Sequence, residues 1–217
     1  MDKSEIFKRS QSLGEEIANS LSHGVGLVAS LVGATFLIGM AIQRGSISFI
    51  VGASVFAITM VMLYAASTVY HALPRNRAKR VFLVFDHAAI FVFIAGCYTP
   101  FTLGVLRGVW GWTLFGIVWG IAVIGVASKI IGGADRFPRL STAAYLGMGW
   151  IFLIVVGPLW QQLPIAGMIW LLAGGISYTV GVAFFRAEKL KYAHFVWHLF
   201  VIAGTACHFV AVWKYAI

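Results

Sequence analysis

The chain has 217 residues, of which 60% are hydrophobic and only 11% are charged. Soluble domains carry about 25% charged residues, so this composition excludes an ordinary soluble globular protein. The net charge of +9 would favour a nucleic-acid partner if the basic residues formed one patch, but they are divided among short segments between apolar runs. We therefore expect no nucleic-acid partner and a chain whose apolar runs are solvated by lipid.

Seven apolar runs, taken in chain order, are long enough to cross a bilayer. A helix needs about 20 residues to cross the hydrocarbon core, and the runs lack the two-residue alternation of barrel strands. The sequence therefore predicts an all-α, polytopic membrane protein, with a tail over residues 1–16 and a transmembrane bundle over residues 17–214. The predicted helices cover about 17–42, 48–73, 81–106, 109–131, 141–160, 164–185 and 191–214.

The basic residues predict the direction of these helices. All but three of the 16 lysines and arginines fall in the N-terminal tail and in the second, fourth and sixth connections. The exceptions are Arg44, Arg107 and Lys214. Because positively charged loops stay inside, we predict a cytoplasmic N-terminus and an extracytoplasmic C-terminus. If the first run did not span the membrane, most of this asymmetry would disappear.

The predicted topology places five of the six histidines in the cytoplasmic half of the membrane. Ionisable residues are costly inside a membrane, so each is a candidate functional residue. Asp86 lies well inside an apolar run at the same depth, whereas His208 lies roughly 21 Å beyond His194 at 1.5 Å per residue. The five histidines of the cytoplasmic half are His23, His71, His87, His194 and His198.

The spacing of three of these histidines indicates a metal site. His194 and His198 are four residues apart and share one helix face, which lets a helix offer two imidazoles to one metal. His71, on predicted helix 2, would supply a third ligand and leave a fourth position open, as in a catalytic zinc site. Ser67 lies on the same face as His71, one turn earlier. Imidazole also suits copper, iron and nickel, so these residues alone leave the metal open.

Further polar residues form a supporting cluster at this depth. Glu16, the last residue of the predicted tail, forms an i, i+3, i+7 pattern with Asn19 and His23 of predicted helix 1. His87 follows Asp86 on predicted helix 3. A simpler interpretation also stands for the histidines outside the metal site. An intramembrane histidine often does no more than hydrogen-bond to a neighbouring helix.

Five segments together resemble the progestin and adipoQ receptor family, in its bacterial haemolysin III-like branch. They occur in the family's order along almost the whole chain. They are Glu-Glu-Ile-Ala-Asn-Ser-Leu-Ser-His at 15–23, Ser-x-x-x-His at 67–71, Phe-Asp-His at 85–87, Tyr-Thr-Pro-Phe at 98–101 and His-x-x-x-His at 194–198.

The resemblance implies a zinc ion held by His71, His194 and His198, with Asp86 contacting it through a bound water and Ser67 close by. It also implies a relationship to the alkaline ceramidases, which are intramembrane amide hydrolases. For a bacterial member it implies a multi-pass protein of the plasma membrane with a role in membrane lipid composition, fluidity and energetics.

Three functions follow as hypotheses. The first is zinc-dependent hydrolysis of a lipid amide or ester that enters from the cytoplasmic leaflet, with Asp86 as the general base. The second is a non-catalytic regulator of the membrane with a structural zinc. Asp86 favours the first, although it would also fit a structural partner for Lys79 or Arg80. A pore-forming haemolysin or transporter ranks last, because we see no internal repeat and no broken helix in the sequence.

Overall fold

The computed structural model describes residues 10–134, 137–187 and 189–216, so residues 1–9 of the predicted tail lie outside the described residues. Within these ranges the chain is all helical, with no strand, and seven helices are long and apolar enough to cross a membrane. The predicted all-α bundle of seven spans is confirmed, and its direction stays a prediction. The spans are α1 (Leu13–Arg44), α2 (Ile47–Ala72), α3 (Arg77–Leu106), α4 (Gly108–Gly132), α5 (Pro138–Gln162), α6 (Ile165–Arg186) and α7 (Ala193–Tyr215).

The first helix begins at Leu13, four residues earlier than the predicted start at residue 17. Ser12 and Glu15 form a capping box, in which each side chain accepts a hydrogen bond from the other residue's backbone N–H. The acidic side chains of Glu15 and Glu16 also suit the positive end of the helix dipole. An apolar run does not reveal this polar first turn, so the helix extends into the last residues of the predicted tail.

Two spans are interrupted, so the expectation of no broken helix is wrong for α3 and α5. The last six residues of α3, Phe101–Leu106, form a π-helix directly after Pro100. In α5 a 3₁₀ turn occupies Ile151–Val155. Pro158, just beyond it, has no N–H to donate to the carbonyl of Ile154, so a regular α-helix would lack a bond at this point. These interruptions lie where α3 and α5 border the interior of the bundle.

Close helix packing brings α1, α2, α3 and α7 together. Helix α1 packs on α2 and also contacts α7, and α2 packs on α3. At Gly26 a Cβ atom would lie 2.7 Å from the ring of Tyr64, so glycine lets α1 approach α2. At Gly96 a Cβ would overlap the side chain of Thr59, so α3 approaches α2 in the same way. Small residues at such contacts are typical of membrane helix pairs.

Candidate metal centre

Three histidines from two helices converge inside the bundle. His71 lies near the end of α2, and His194 and His198 lie in the first two turns of α7. One ligand atom from each can be chosen so that all three lie within 4.8 Å of one another. The ring of His71 is 5.1 Å from each of the other two rings, which are 4.6 Å apart. The structure thus brings together the three residues predicted as ligands.

The imidazole of His71 is oriented by a carboxylate on α1. Its Nδ1 donates to Oε2 of Glu16 at 2.7 Å, and the other carboxylate oxygen accepts from Nζ of Lys79 at 3.1 Å. The remaining nitrogen, Nε2, is buried and has no hydrogen-bond partner among the described residues. A metal-binding histidine usually donates its other ring N–H to a carboxylate in this manner, which fixes its tautomer.

The imidazole of His198 is also held by α1. Its Nδ1 lies 3.2 Å from the carbonyl oxygen of Asn19 and 3.0 Å from Oγ of Ser22. Because a carbonyl only accepts, Nδ1 carries the proton and Nε2 is left as the ligand atom. Ser22 was not singled out from the sequence, although it lies inside the 15–23 segment. Helix α1 therefore orients one imidazole of α2 and one of α7.

A hydrogen bond that the sequence does not reveal joins α1 to the start of α7. Oε1 of Glu15 accepts a hydrogen bond of 2.9 Å from the backbone N–H of Tyr192, the residue before α7 begins. Tyr192 has a positive φ of 58°, a strained conformation for a residue with a side chain. Glu15 therefore stabilises the turn from which His194 and His198 project.

This donor set fits a metal ion. Two of the three histidines are buried and one is half-buried. The Nε2 atom of His71 has no hydrogen-bond partner in the described part of the chain. Three imidazoles with a fourth position open match the ligand set of a catalytic zinc site. The same imidazoles suit copper, iron or nickel, so geometry supports a metal ion and the identity of zinc stays a prediction.

The other histidines lie outside the cluster. His23 stacks on His198, with ring centroids 3.5 Å apart and planes at 10°, and its two ring nitrogens are buried without a hydrogen-bond partner among the described residues. It therefore supports a ligand residue by packing. His208 bonds within its own helix and not to a neighbouring one, since its Nδ1 lies 3.0 Å from the carbonyl oxygen of Gly204.

Asp86 and Ser67 line a narrow, mainly apolar cavity together with His194 and His198. Its volume is about 140 Å³. Its walls come mostly from α3, α5, α6 and α7 and reach Leu106, 20 positions beyond Asp86 on α3, which is about 30 Å along a helix. The catalytic roles predicted for Asp86 and Ser67 stay predictions. Lys79, one suggested partner of Asp86, pairs with Glu16 instead.

Fold and site together define a seven-helix integral membrane protein with a buried histidine cluster near one end of the bundle. Comparison with known proteins shows which group this is. Residues 11–209 match the family described as haemolysin-III related, and the chain belongs to that family. It is thereby related to the progestin and adipoQ receptors, as its sequence segments indicated.

Individual relatives match over nearly the full chain. "Hemolysin-3" of Bacillus cereus is 41% identical over 212 residues, covering 98% of this chain and 96% of the relative. "Hemolysin-3 homolog" of Bacillus subtilis (strain 168) is 42% identical over 206 residues, covering 95% and 96%. The human "Monocyte to macrophage differentiation factor" is 27% identical over 211 residues, covering 93% and 84%. With the seven apolar helices, these matches identify a multi-pass protein of the bacterial plasma membrane.

Proposed function

We propose that this protein is a zinc-dependent hydrolase of a lipid amide or ester and that it acts in membrane lipid and fluidity homeostasis. The observation that carries the proposal is the position of the histidine cluster. His194 and His198 border an apolar cavity that also contains a carboxylate, Asp86, and a hydroxyl, Ser67. A metal site that shares an apolar cavity with a base is the combination that lipid hydrolysis needs.

Three histidines would hold the metal, and α1 would keep them in place. Bound zinc would polarise the scissile carbonyl and lower the pKa of a water molecule towards neutrality. His71 would bind through Nε2, because its Nδ1 is engaged by Glu16. His198 would likewise bind through Nε2, because its Nδ1 faces Asn19 and Ser22.

Asp86 would act as the general base. It is buried on α3 and lines the same cavity as His194 and His198. Its carboxylate would accept the proton of the attacking water and pass it to the leaving nitrogen or oxygen. Ser67 would donate a hydrogen bond to the developing oxyanion or to Asp86, since its buried Oγ has no hydrogen-bond partner among the described residues.

The shape of the cavity supports a substrate with one long apolar chain. Aliphatic and aromatic side chains line it from the histidine end towards Leu106. A chain lying there would place its amide or ester linkage at the histidines. The histidines lie at the end of the bundle that carries most of the basic connections, so the substrate would come from the cytoplasmic leaflet.

Two measurements test the proposal on purified protein. Metal analysis should find about one zinc per wild-type chain and a large loss in His194→Ala, since a ligand is removed. Release of fatty acid from a panel of lipid amides and esters should be detected with wild type. It should fall at least about 100-fold in Asp86→Asn with zinc retained, because a general base contributes about 10²–10⁴-fold. Zinc-loaded wild type that releases no fatty acid from any lipid would contradict the proposal.

One observation favours a second candidate, a regulator with structural zinc. The predicted ligands join α2 to α7, and hydrogen bonds join both to α1, so a metal there would also cross-link three helices. Asp86→Asn separates the two functions in living cells. If cells carrying the zinc-bound variant keep normal membrane fluidity, the protein acts without catalysis.

A further inference from the structure

A second cavity, separate in its lining from the one at Asp86, lies where α1 begins and α2 ends. Its volume is about 560 Å³, and its walls are the first three turns of α1, the last residues of α2 and the turn that follows α2. We refer to it as the terminal cleft. Glu16 and His71 line this cleft, so it lies beside the carboxylate–imidazole pair of the metal centre.

One wall of the terminal cleft is an apolar stripe on α1. Leu13, Ile17 and Leu21 are spaced by four residues, so they lie on one helix face. Their exposed fractions are 77%, 50% and 64%. In a span of a membrane protein, such a stripe faces lipid tails. The cleft is therefore open to the side of the bundle where an acyl chain lies.

The opposite wall is polar, and most of its charge is already paired. Nζ of Lys79 has three acceptors, namely Oε1 of Glu16 at 3.1 Å and the carbonyl oxygens of Tyr70 and Leu73 at 3.0 and 3.1 Å. An ammonium group has three donors, so Lys79 is fully engaged. Glu16 is shared between Lys79 and His71. These groups form a fixed internal network.

Arg75 is the basic residue of the cleft that this network does not neutralise. It is exposed, and one of its guanidinium nitrogens, Nη2, donates to the carbonyl of Gln11 at a long 3.3 Å. A guanidinium has five N–H donors in a planar fork that matches two oxygens of a phosphate. Glu16, the one carboxylate among the described residues that line the cleft, is already paired, so Arg75 leaves these residues with a net positive charge.

We propose that the terminal cleft binds the phosphate of an anionic phospholipid, with Arg75 on the phosphate and an acyl chain along Leu13, Ile17 and Leu21. The exposed apolar stripe selects a lipid over a soluble phosphate, because a free ion would gain nothing from it. The positive charge selects an anionic headgroup over a zwitterionic one. This site is distinct from the proposed catalytic cavity and does not depend on hydrolysis.

The test compares lipid binding by two matched arginine variants of the full-length protein. Arg75→Gln removes the proposed phosphate ligand. Arg80→Gln removes a charge that is also exposed, five residues later, and that does not line the cleft. Native mass spectrometry would measure the binding of phosphatidylglycerol and phosphatidylcholine with identical acyl chains. Wild type should prefer phosphatidylglycerol, and Arg75→Gln should lose about five- to tenfold of that affinity. Arg80→Gln should lose less than about twofold, with metal content equal in all three proteins.

Three results would overturn the proposal. Equal losses in the two variants would mean a diffuse charge effect, and an unchanged Arg75→Gln would mean that the cleft binds no phosphate. Displacement of phosphatidylglycerol by an equal concentration of inorganic phosphate would show that the apolar wall contributes nothing. Since none of these readings involves release of fatty acid, failure of the cleft proposal is distinguishable from failure of the hydrolase proposal.

Discussion

The two halves of the bundle differ in how their helices are held together. In the half formed by α1, α2 and α7, polar side chains of different helices bond to one another, as in Glu16 with His71 and Ser22 with His198. In the half formed by α4, α5 and α6, α5 makes few close contacts with α3, α4 and α6. Bonds between side chains of different helices hold the first half, whereas the second is loosely packed around α5.

This difference suits the function proposed above. A metal site needs ligands whose rotamers are locked by neighbouring groups, and α1 supplies those groups for α2 and α7. A cavity for a flexible chain needs walls that tolerate different shapes, and α5 borders the cavity at a 3₁₀ interruption. Fixed ligands and an adaptable wall are therefore separated into different helices of one small bundle.

The largest expected effect comes from removing a ligand in the constrained half. His198→Ala should lose most of its metal, because two imidazoles bind far more weakly than three. His208→Ala is the matched control, since it removes a histidine ten residues later on the same helix that lies outside the cluster. Metal content per chain, measured on purified protein, decides the prediction. Equal metal in the two variants would show that the cluster is not the site.

A smaller loss is expected when the ligand stays but its orienting group is removed. Glu16→Ala should weaken metal affinity by about 10–100-fold, because His71 loses the carboxylate that fixes its Nδ1–H. Glu16→Gln should lose less metal affinity, since an amide oxygen still accepts a hydrogen bond from the Nδ1–H of His71. Competition with a zinc chelator would rank the metal affinities of wild type, Glu16→Gln and Glu16→Ala. A Glu16→Ala protein with wild-type affinity would contradict the role assigned to α1.

The smallest effect is expected in the half that is loosely packed around α5. Nε1 of Trp150 on α5 donates to Oγ1 of Thr179 on α6 at 3.0 Å, at the exposed seam between the two helices. Trp150→Phe should lower the free energy of unfolding by about 0.6 kcal/mol, a common value for a polar contact between membrane helices. Metal affinity should not change. Unfolding in detergent micelles would measure the free energy of unfolding. A loss of metal in Trp150→Phe would contradict the separation of the two halves.

Depth was the most informative quantity obtained from the sequence, but it grouped residues too broadly. Apolar runs and basic connections placed five histidines in one half, and three of them form the cluster. His23 shares the depth of these three, yet it stacks on His198 instead of joining them. Which side of α1 faces the ligands depends on how α1 rotates against α2, and small residues such as Gly26 set that packing.

Some features have no local signal strong enough to predict. Ser22 and Glu15 look like ordinary residues of a helix start, and their partners, His198 and Tyr192, lie more than 170 positions away. The π-helix after Pro100 and the 3₁₀ turn in α5 are small departures from a continuous apolar run. A proline marks the neighbourhood of each one, but it does not specify which form the backbone adopts.

The sequence by itself determined the seven spans, their expected direction, the family and the candidate ligands. The spans and their direction follow from the cost of burying charge and backbone in lipid, which each segment meets alone. The family and the candidate ligands follow from short motifs and their spacing. Tertiary structure decided which histidines meet, that α1 orients two of them, and where the cavity and the terminal cleft lie. Those features depend on contacts between helices that are distant in the chain, and their geometry exists only once the helices have packed.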